Sequence, residues 1–221
     1  AWALSNSKHR EDSEKIKNFD YIFFDEAGQI SISKLIASSM SSKNIIMIGD
    51  HMQLPQPSTG NTEGESSLSP IEYLLKDQNT ISDDKGIFLS NTYRMHKNIC
   101  DFISESFYEN RLISDKSTKN QNIINEKNKD ILNGIYLIDP KHSGFSVQNE
   151  IEAKEIKKIY EKLINKNWKD RDNKIQKITN KDILVISPFN AQVNLLKQIL
   201  GDTAKVGTID NFQGQEAPIV I

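Results

Sequence analysis

Seven short apolar runs recur along this chain, and each of them closes on polar or turn-forming residues. They cover residues 21–28, 44–50, 86–94, 134–140, 182–189, 205–210 and 217–221. Because apolar residues follow one another in these runs without alternating with polar ones, the runs are typical of strands buried on both faces. Helical patterns lie between several of them. Strands that alternate with helices predict an α/β fold with a parallel sheet and right-handed crossovers.

Three stripes of apolar residues at helical spacing support this prediction. They are Ile99, Phe102, Ile103 and Phe107; Ile156, Ile159, Tyr160, Leu163 and Ile164; and Val193, Leu196 and Leu200. Asn149 precedes the second stripe and is a candidate helix N-cap. Two stretches break the alternation, since residues 56–67 are polar and turn-rich and residues 114–130 are rich in Asn and Lys. We expect the second stretch to be a domain boundary or an inserted loop.

Composition limits the class of protein. A chain of 221 residues forms one large domain or two small ones. Its one cysteine, Cys100, excludes a disulfide framework and a cysteine-based zinc site, so we expect a cytoplasmic protein. No apolar stretch approaches the roughly 20 residues of a membrane span, which predicts no membrane partner. The formal net charge is −2, so nucleic-acid binding would rest on local geometry. Residues 152–181 are locally basic, which is typical of a solvated surface.

An acidic pair follows the first apolar run. Asp25 and Glu26 come directly after residues 21–24, and open α/β sheets bind ligands at the carboxyl ends of their strands. One carboxylate there suits Mg²⁺, held directly or through its water, and the neighbouring carboxylate suits the orientation or deprotonation of an attacking water. The same pair also fits a helix N-cap followed by an acidic residue in the first turn. The pair alone leaves both interpretations open.

Three further stretches place unusual polar residues after predicted strands. The sequence GDHMQLP (residues 49–55) holds the amide of Gln53 beside a proline, which a turn does not require. The sequence NTYRMH (residues 91–96) holds Arg94 between an aromatic residue and a Met. Residues 206–221 are strand-like at both ends, with a Gln-Gly-Gln-Glu turn between them.

Taken in this order, the four stretches resemble the motifs of superfamily 1 helicases. DEAG (25–28) resembles motif II, GDHMQLP (49–55) motif III, YRMH (93–96) motif IV, and GTID with FQGQE (207–210 and 212–216) motif V. The last two motifs are similar to the 1B branch, which holds the nonsense-mediated-decay RNA helicase and the replication helicase-nucleases. The resemblance spans nearly the whole chain. It implies an α/β fold of two RecA-like, P-loop NTPase motor domains, both incomplete.

The resemblance also implies a division of the chain into three segments. Residues 1–112 would be the C-terminal part of the first RecA-like domain, with motifs II and III. Residues 113–133 would be a polar linker or inserted loop. Residues 134–221 would be the N-terminal part of the second domain, through motif V, and the motif IV segment (86–96) would lie near the boundary.

Each matching residue takes a role from the resemblance. Asp25 would hold Mg²⁺ through water, Glu26 would activate the attacking water, and Gln53 would reach the γ-phosphate of ATP. A neutral amide suits such a sensor because it bonds to phosphate or water without adding a fixed charge. Arg94 would be an arginine finger, since a planar guanidinium meets phosphate oxygens bidentately and stabilises transition-state charge.

The remaining implied site residues lie in motif V. Gly214 and Glu216 would contact the nucleotide, with Glu216 near its ribose, and Thr208 and Asp210 would lie toward single-stranded nucleic acid. The resemblance therefore implies an ATP-dependent helicase or translocase. Its cofactors would be ATP and Mg²⁺, and its partner would be single-stranded DNA or RNA.

One required element of such an ATPase is absent from the sequence. The chain contains no Gly-Lys dipeptide, and so no phosphate-cradling G-x-x-x-x-G-K-[ST] loop. The last motif of the family would lie beyond Ile221. We therefore interpret the chain as a fragment of a larger motor protein and expect the 221-residue piece alone to show no ATPase activity.

Two other functions are consistent with parts of the sequence. The missing phosphate loop favours a non-catalytic nucleic-acid-binding module with a decayed ATPase, although such a module would not require the residues that are all present here, namely Asp25, Glu26, Gln53, Arg94 and Glu216. A metal-dependent hydrolase acting directly through Asp25 and Glu26 is the weaker alternative. The histidines are scattered, without metal-ligand spacing, at His9, His51, His96 and His142.

Overall fold

The computed structural model describes residues 19–55, 65, 68–124, 133–144 and 146–221. Over these residues the protein is a mixed α/β structure with small sheets, most of them parallel. The chain divides into two compact units. The first comprises residues 1–88 and 107–109, and the second comprises residues 89–106 and 110–221.

The first unit is built on two parallel strands. Its elements are β1 (Phe19–Phe24), a 3₁₀ helix (Ala27–Gln29), α1 (Ile32–Ser39), β2 (Ser42–Met47) and α2 (Pro70–Leu75). The pairing of β1 with β2 runs from Phe19 opposite Ser42 to Phe24 opposite Met47. Ser69 and Glu72 form a capping box at the start of α2, which fixes that boundary. The strands that the sequence predicts within residues 21–28 and 44–50 are confirmed, because β1 and β2 overlap these two runs.

The prediction that these strands are buried on both faces is wrong for β1 and also for β2, in which Ile45 and Ile46 are 41% and 36% exposed. Side chains alternate between the faces of a strand, and on one face of β1 Tyr21 and Phe23 are 58% and 63% exposed. The physical reason is that the described sheet of this unit has two strands, which present too little area for helices to cover on both sides. In the second unit, by contrast, the apolar residues Ile183, Leu184 and Val185 are all buried.

The second unit holds most of the buried core. Its elements are β3 (Asn91–Thr92), α3 (Lys97–Phe107, whose last residue groups with the first unit), β4 (Ile113–Ser114), a 3₁₀ helix (Lys116–Asn120), β5 (Asn122–Ile124), α4 (Glu150–Leu163), β6 (Asn167–Lys169), β7 (Ile175–Lys177), β8 (Ile183–Ile186), α5 (Asn190–Leu200), β9 (Lys205–Gly207), α6 (Ile209–Phe212) and β10 (Ile219–Val220). A parallel sheet in the order β10-β8-β9 packs with α4 and α5. Its core consists of Ala153, Tyr160, Leu163, Ile178, Ile183, Val185, Val193, Leu196, Ala204 and Val206.

The helix predictions are confirmed in this unit. The three apolar stripes lie on α3, α4 and α5. Asn149 is the N-cap of α4, where its Oδ1 accepts from the backbone N–H groups of Ile151 at 2.9 Å and Glu152 at 3.2 Å. The predicted strands at 182–189, 205–210 and 217–221 contain β8, β9 and β10, and the chain turns into α6 directly after Thr208.

Two strand predictions differ from the structure. Residues 86–94 contribute only the two residues of β3, which pairs with β4. Residues 134–140 form no strand, and Leu137 within them is 95% exposed. The reason is that an apolar run becomes a strand only when another strand lies alongside to complete its backbone hydrogen bonds, and within the described chain none pairs with this run.

The stretch predicted as a polar linker contains ordered structure. Residues 113–124 hold β4, a 3₁₀ helix and β5, and β5 pairs antiparallel with β6, which pairs with β7. Ile123 and Trp168 of this sheet pack against the core. Residues 125–132 and the turn-rich stretch 56–67, apart from Glu65, lie outside the described residues. The division at 1–112, 113–133 and 134–221 stays a prediction.

The locally basic residues 152–181 lie on α4 and the β6–β7 hairpin. On α4, exposed lysines pair with glutamates one turn away, as in Lys154–Glu150 at 3.5 Å and Lys158–Glu155 at 2.8 Å. Such exposed pairs are typical of a solvated helix face. None of the helices in the described ranges is both long and apolar enough to cross a membrane.

Candidate functional site

The turns that follow β1 and β2 are in direct backbone contact. The backbone N–H of Ala27 donates to the carbonyl oxygen of Ile48 at 2.9 Å. A Cβ atom at Gly28 would lie 2.6 Å from the carbonyl oxygen of Asp50, and one at Gly49 would lie 2.6 Å from the nitrogen of Ala27. Neither position can therefore carry a side chain without a shift of the backbone. The carboxyl ends of the two strands are thus fixed against each other at one edge of the sheet.

Asp25 and Glu26 are both exposed in the first of these turns. Glu26 has φ 52° and ψ 43°, in the left-handed region, which costs a residue with a side chain about 1 kcal/mol or more. It occupies the N-cap position of the 3₁₀ helix but makes no side-chain capping bond. The Glu26 carboxylate instead accepts from Gln29 Nε2 at 3.2 Å, and Asp25 Oδ1 accepts from the Glu26 backbone N–H at 3.0 Å. The N-cap position is thus held by Glu26 and not by Asp25, and the first turn contains no acidic residue, so the interpretation of the pair as an N-cap followed by a first-turn acid is wrong.

The second turn is organised around the carboxylate of Asp50. Its Oδ1 accepts from the backbone N–H of Met52 at 3.0 Å. Its Oδ2 accepts from Gln53 Nε2 at 3.0 Å and from the hydroxyl of Tyr108 at 2.5 Å. Gln53 itself is exposed, whereas Asp50 and Tyr108 are half-buried. Gln53 is therefore held by its amide nitrogen, within the unit that also carries Asp25 and Glu26.

Sequence reasoning missed two members of this cluster. Asp50 lies within the motif III stretch but has no predicted role of its own, and the sequence does not single out Tyr108, which follows α3. Burial raises the pKa of the Tyr108 phenol, and its hydrogen bond to Asp50 and the negative charge of Asp50 raise it further. The only local signal was that Asp50 precedes Gln53 by three residues, since Tyr108 lies 58 residues farther along the chain.

In the second unit the structure brings together two of the predicted site residues. Arg94 Nε donates to Glu216 Oε2 at 2.8 Å, across 122 residues of sequence. The two side chains are 63% and 68% exposed. An exposed ion pair contributes at most about 1 kcal/mol, so a more highly charged anion can displace Glu216 from Arg94.

The other predicted residues of the second unit lie in the turn between β9 and β10. Gly214 has φ +75°, a conformation that glycine adopts without strain. Thr208 donates its hydroxyl proton to Asn211 Oδ1 at 2.5 Å, so this proton is engaged inside the turn. Asp210 is exposed in the first turn of α6. Among the described residues, no hydrogen bond or ion pair joins Thr208 or Asp210 to Arg94.

His96, one of the scattered histidines, lies two residues after Arg94. His96 Nδ1 accepts from the backbone N–H of Asn98 at 3.2 Å, at the start of α3. Burial lowers its pKa, and the charge of Asp101 opposes this shift. Among the residues that the structure describes, no three His, Cys, Asp or Glu side chains are grouped to hold a metal ion. The alternative of a metal-dependent hydrolase gains no support.

Comparisons with known proteins match nearly the whole chain to two family models. Both are described as an AAA domain, and they match residues 4–58 and 67–221. The chain is 27% identical to the DNA polymerase alpha-associated DNA helicase A of Schizosaccharomyces pombe, over 96% of this chain and 33% of the relative. It is 29% identical to an uncharacterized ATP-dependent helicase of Methanocaldococcus jannaschii, over 92% of this chain and 31% of the relative. It is 27% identical to helicase SEN1 of Saccharomyces cerevisiae, over 99% of this chain and 10% of the relative. The chain spans about a third or less of the length of these curated relatives.

Proposed function

This chain belongs to the AAA domain family of superfamily 1 helicases, and from that premise we propose that the protein containing it is an ATP-dependent helicase or translocase. Hydrolysis of ATP would drive its movement along single-stranded DNA or RNA. The observation that carries this proposal is the backbone contact between the turns after β1 and β2, because it holds Asp25, Glu26 and Gln53 at one sheet edge. The two units would be parts of two RecA-like domains.

The first unit would carry the hydrolytic residues. Asp25 accepts one hydrogen bond within the described chain, at Oδ1, so its other oxygen is available, and carboxylate oxygens suit Mg²⁺ or its water ligands. Bound Mg²⁺ would neutralise charge on the phosphates. Glu26, with its carboxylate exposed, would orient and deprotonate the attacking water. Gln53 would contact that water or the γ-phosphate.

The second unit would carry the other groups that are predicted to contact the nucleotide. In the described chain Arg94 uses only its Nε in the pair with Glu216, which leaves both terminal nitrogens of the guanidinium to meet phosphate oxygens. Gly214 and Glu216 would contact the nucleotide. Thr208 and Asp210 would lie toward the nucleic acid, and the Thr208 hydroxyl would have to release Asn211 before it could donate to a phosphate.

The test is the substitution Glu26→Gln in the intact protein. We expect ATP turnover stimulated by single-stranded nucleic acid to fall by about 10²-fold or more, because the amide cannot accept the proton of water. ATP binding should be retained. Turnover is measured by phosphate release and binding by fluorescence of a labelled ATP analogue.

Two results separate this function from the alternatives. An intact protein that binds single-stranded nucleic acid but has no ATPase activity would be a binding module, and wild-type turnover in Glu26→Gln would refute the role of Glu26. The 221-residue chain serves as a control. It has no Gly-Lys phosphate loop, so we expect it to release no phosphate from ATP.

A further inference from the structure

We propose that Tyr108 is a positioning residue for hydrolysis, which acts through Asp50 to fix the side chain of Gln53. This inference rests on the proposed function, since it assumes that Gln53 faces the reacting phosphate. It is based on the three hydrogen bonds to Asp50, two of which end on the same oxygen, Oδ2. Neither Asp50 nor Tyr108 has a role in the functional assignment above.

The chemistry of the carboxylate determines which way the Gln53 amide faces. A carboxylate only accepts hydrogen bonds, so the atom 3.0 Å from Asp50 Oδ2 must be the amide nitrogen. The amide oxygen of Gln53 is then directed away from Asp50. This oxygen is an acceptor, and Gln53 is exposed, so the oxygen can accept a hydrogen bond from the attacking water. An amide that turned over would present donors there and lose the bond to Asp50.

Tyr108 is suited to hold Asp50 in place. Its hydroxyl makes the shortest of the three bonds, at 2.5 Å, and its raised pKa keeps it protonated, and therefore a donor, near neutral pH. The ring lies 6.3 Å, centroid to centroid, from that of Phe88. The next residue, Glu109, accepts from the hydroxyl of Thr80 at 2.7 Å. The ring contact with Phe88 and the hydrogen bond of the neighbouring Glu109 therefore both restrict the position of Tyr108.

Loss of the Tyr108 hydroxyl would release one side of Asp50. The carboxylate would keep its bonds to Met52 and Gln53, but it could rotate, and the Gln53 amide would rotate with it. Because this changes the orientation of a group at the reacting phosphate and leaves the phosphate-binding groups in place, turnover should fall while ATP affinity changes little.

The experiment compares four forms of the intact protein in the nucleic-acid-stimulated ATPase assay. They are the wild type, Tyr108→Phe, Gln53→Ala and the double variant. We expect Tyr108→Phe to lower kcat about tenfold, as loss of a hydrogen bond to a charged group would, with less than about a twofold change in the KM for ATP. In the Gln53→Ala background the same change should have no further effect, because the residue through which Tyr108 acts is gone.

The matched control is Tyr160→Phe. The Tyr160 hydroxyl is also buried and donates to Asn180 Oδ1 at 3.1 Å, but it lies on α4 in the core of the second unit. Burial raises the pKa of this phenol too. We expect this variant to keep wild-type kcat. Melting temperatures of all variants show whether any loss of turnover comes from unfolding.

Three outcomes would overturn the inference while leaving the proposed function intact. They are wild-type kcat in Tyr108→Phe, an undiminished effect of Tyr108→Phe in the Gln53→Ala background, and an equal loss in Tyr160→Phe. If Tyr108→Phe fails to fold, Asp50→Asn tests the same link, because an amide cannot accept from all three donors, and wild-type kcat there refutes the inference. An intact wild-type protein without ATPase activity would instead refute the proposed function.

Discussion

At the scale of single residues, the most informative contact is the ion pair between Arg94 and Glu216. Both side chains are exposed, so the pair is screened by water and contributes little to folding. The pair is informative because Arg94 Nε and Glu216 Oε2 lie 2.8 Å apart, although the two residues are 122 positions apart in the sequence. The pair allows the role of Arg94 in stability to be separated from its role in turnover.

We expect Arg94→Ala to leave the free energy of unfolding within about 0.5 kcal/mol of wild type while lowering kcat of the intact protein about 10³-fold. The first result follows from exposure, and the second from the loss of a cation that stabilises transition-state charge. Unfolding is measured by urea titration and kcat by phosphate release. Lys97→Ala is the control, since Lys97 also forms an exposed pair, with Asp101 at 2.5 Å, and should keep kcat. Unchanged kcat in Arg94→Ala would exclude an arginine finger.

At the scale of elements, sequence patterns located strands and helices where the determinants are local. The stripes on α3, α4 and α5 and the runs at β1, β2 and β8 each carry their own periodicity or apolar content. The run at 134–140 failed as a strand because pairing depends on a partner elsewhere in the chain. Tyr108 was missed for the same reason, since its hydrogen bond to Asp50 depends on the tertiary fold. The candidate roles of Asp25, Glu26, Gln53, Arg94, Thr208, Asp210, Gly214 and Glu216 came from motif resemblance and stay proposals.

The contact between the turns after β1 and β2 gives a prediction about stability. We expect Gly28→Ala to lower the free energy of unfolding by about 1–3 kcal/mol, because the new Cβ would meet the backbone of Asp50 at 2.6 Å. In Gly86→Ala the new Cβ would approach the end of the Ile81 side chain at 2.5 Å, which can rotate away, so this control should lose less. Chemical denaturation measures both. Equal losses would show that the close approach of the turns is relaxed in solution.

At the scale of the whole molecule, burial is unevenly distributed. The extended core of the second unit surrounds β8, whereas β1 presents an apolar face formed by Phe19, Tyr21 and Phe23. Contiguous apolar surface of this kind promotes association. The chain spans about a third of the length of the helicase A of Schizosaccharomyces pombe and of the ATP-dependent helicase of Methanocaldococcus jannaschii.

We expect the 221-residue chain to self-associate with increasing concentration, because aromatic side chains on the β1 face are withdrawn from water when two copies meet. Phe23→Lys should reduce this association by placing a charge in the face. Met40→Lys adds the same charge at an exposed position at the end of α1 and should have little effect. Sedimentation velocity over a range of concentrations measures the difference. Equal association of the wild type and Phe23→Lys would refute the role of this face.

The two glycines at the strand ends have a mechanical consequence. With Gly28 and Gly49 in place, the loop that bears Glu26 contacts the loop that bears Gln53 through main-chain atoms. Because backbone atoms make this contact, a displacement of one loop would also displace the other. In the proposed ATP site, a movement of the Glu26 loop on release of phosphate would therefore also move the backbone of Gln53.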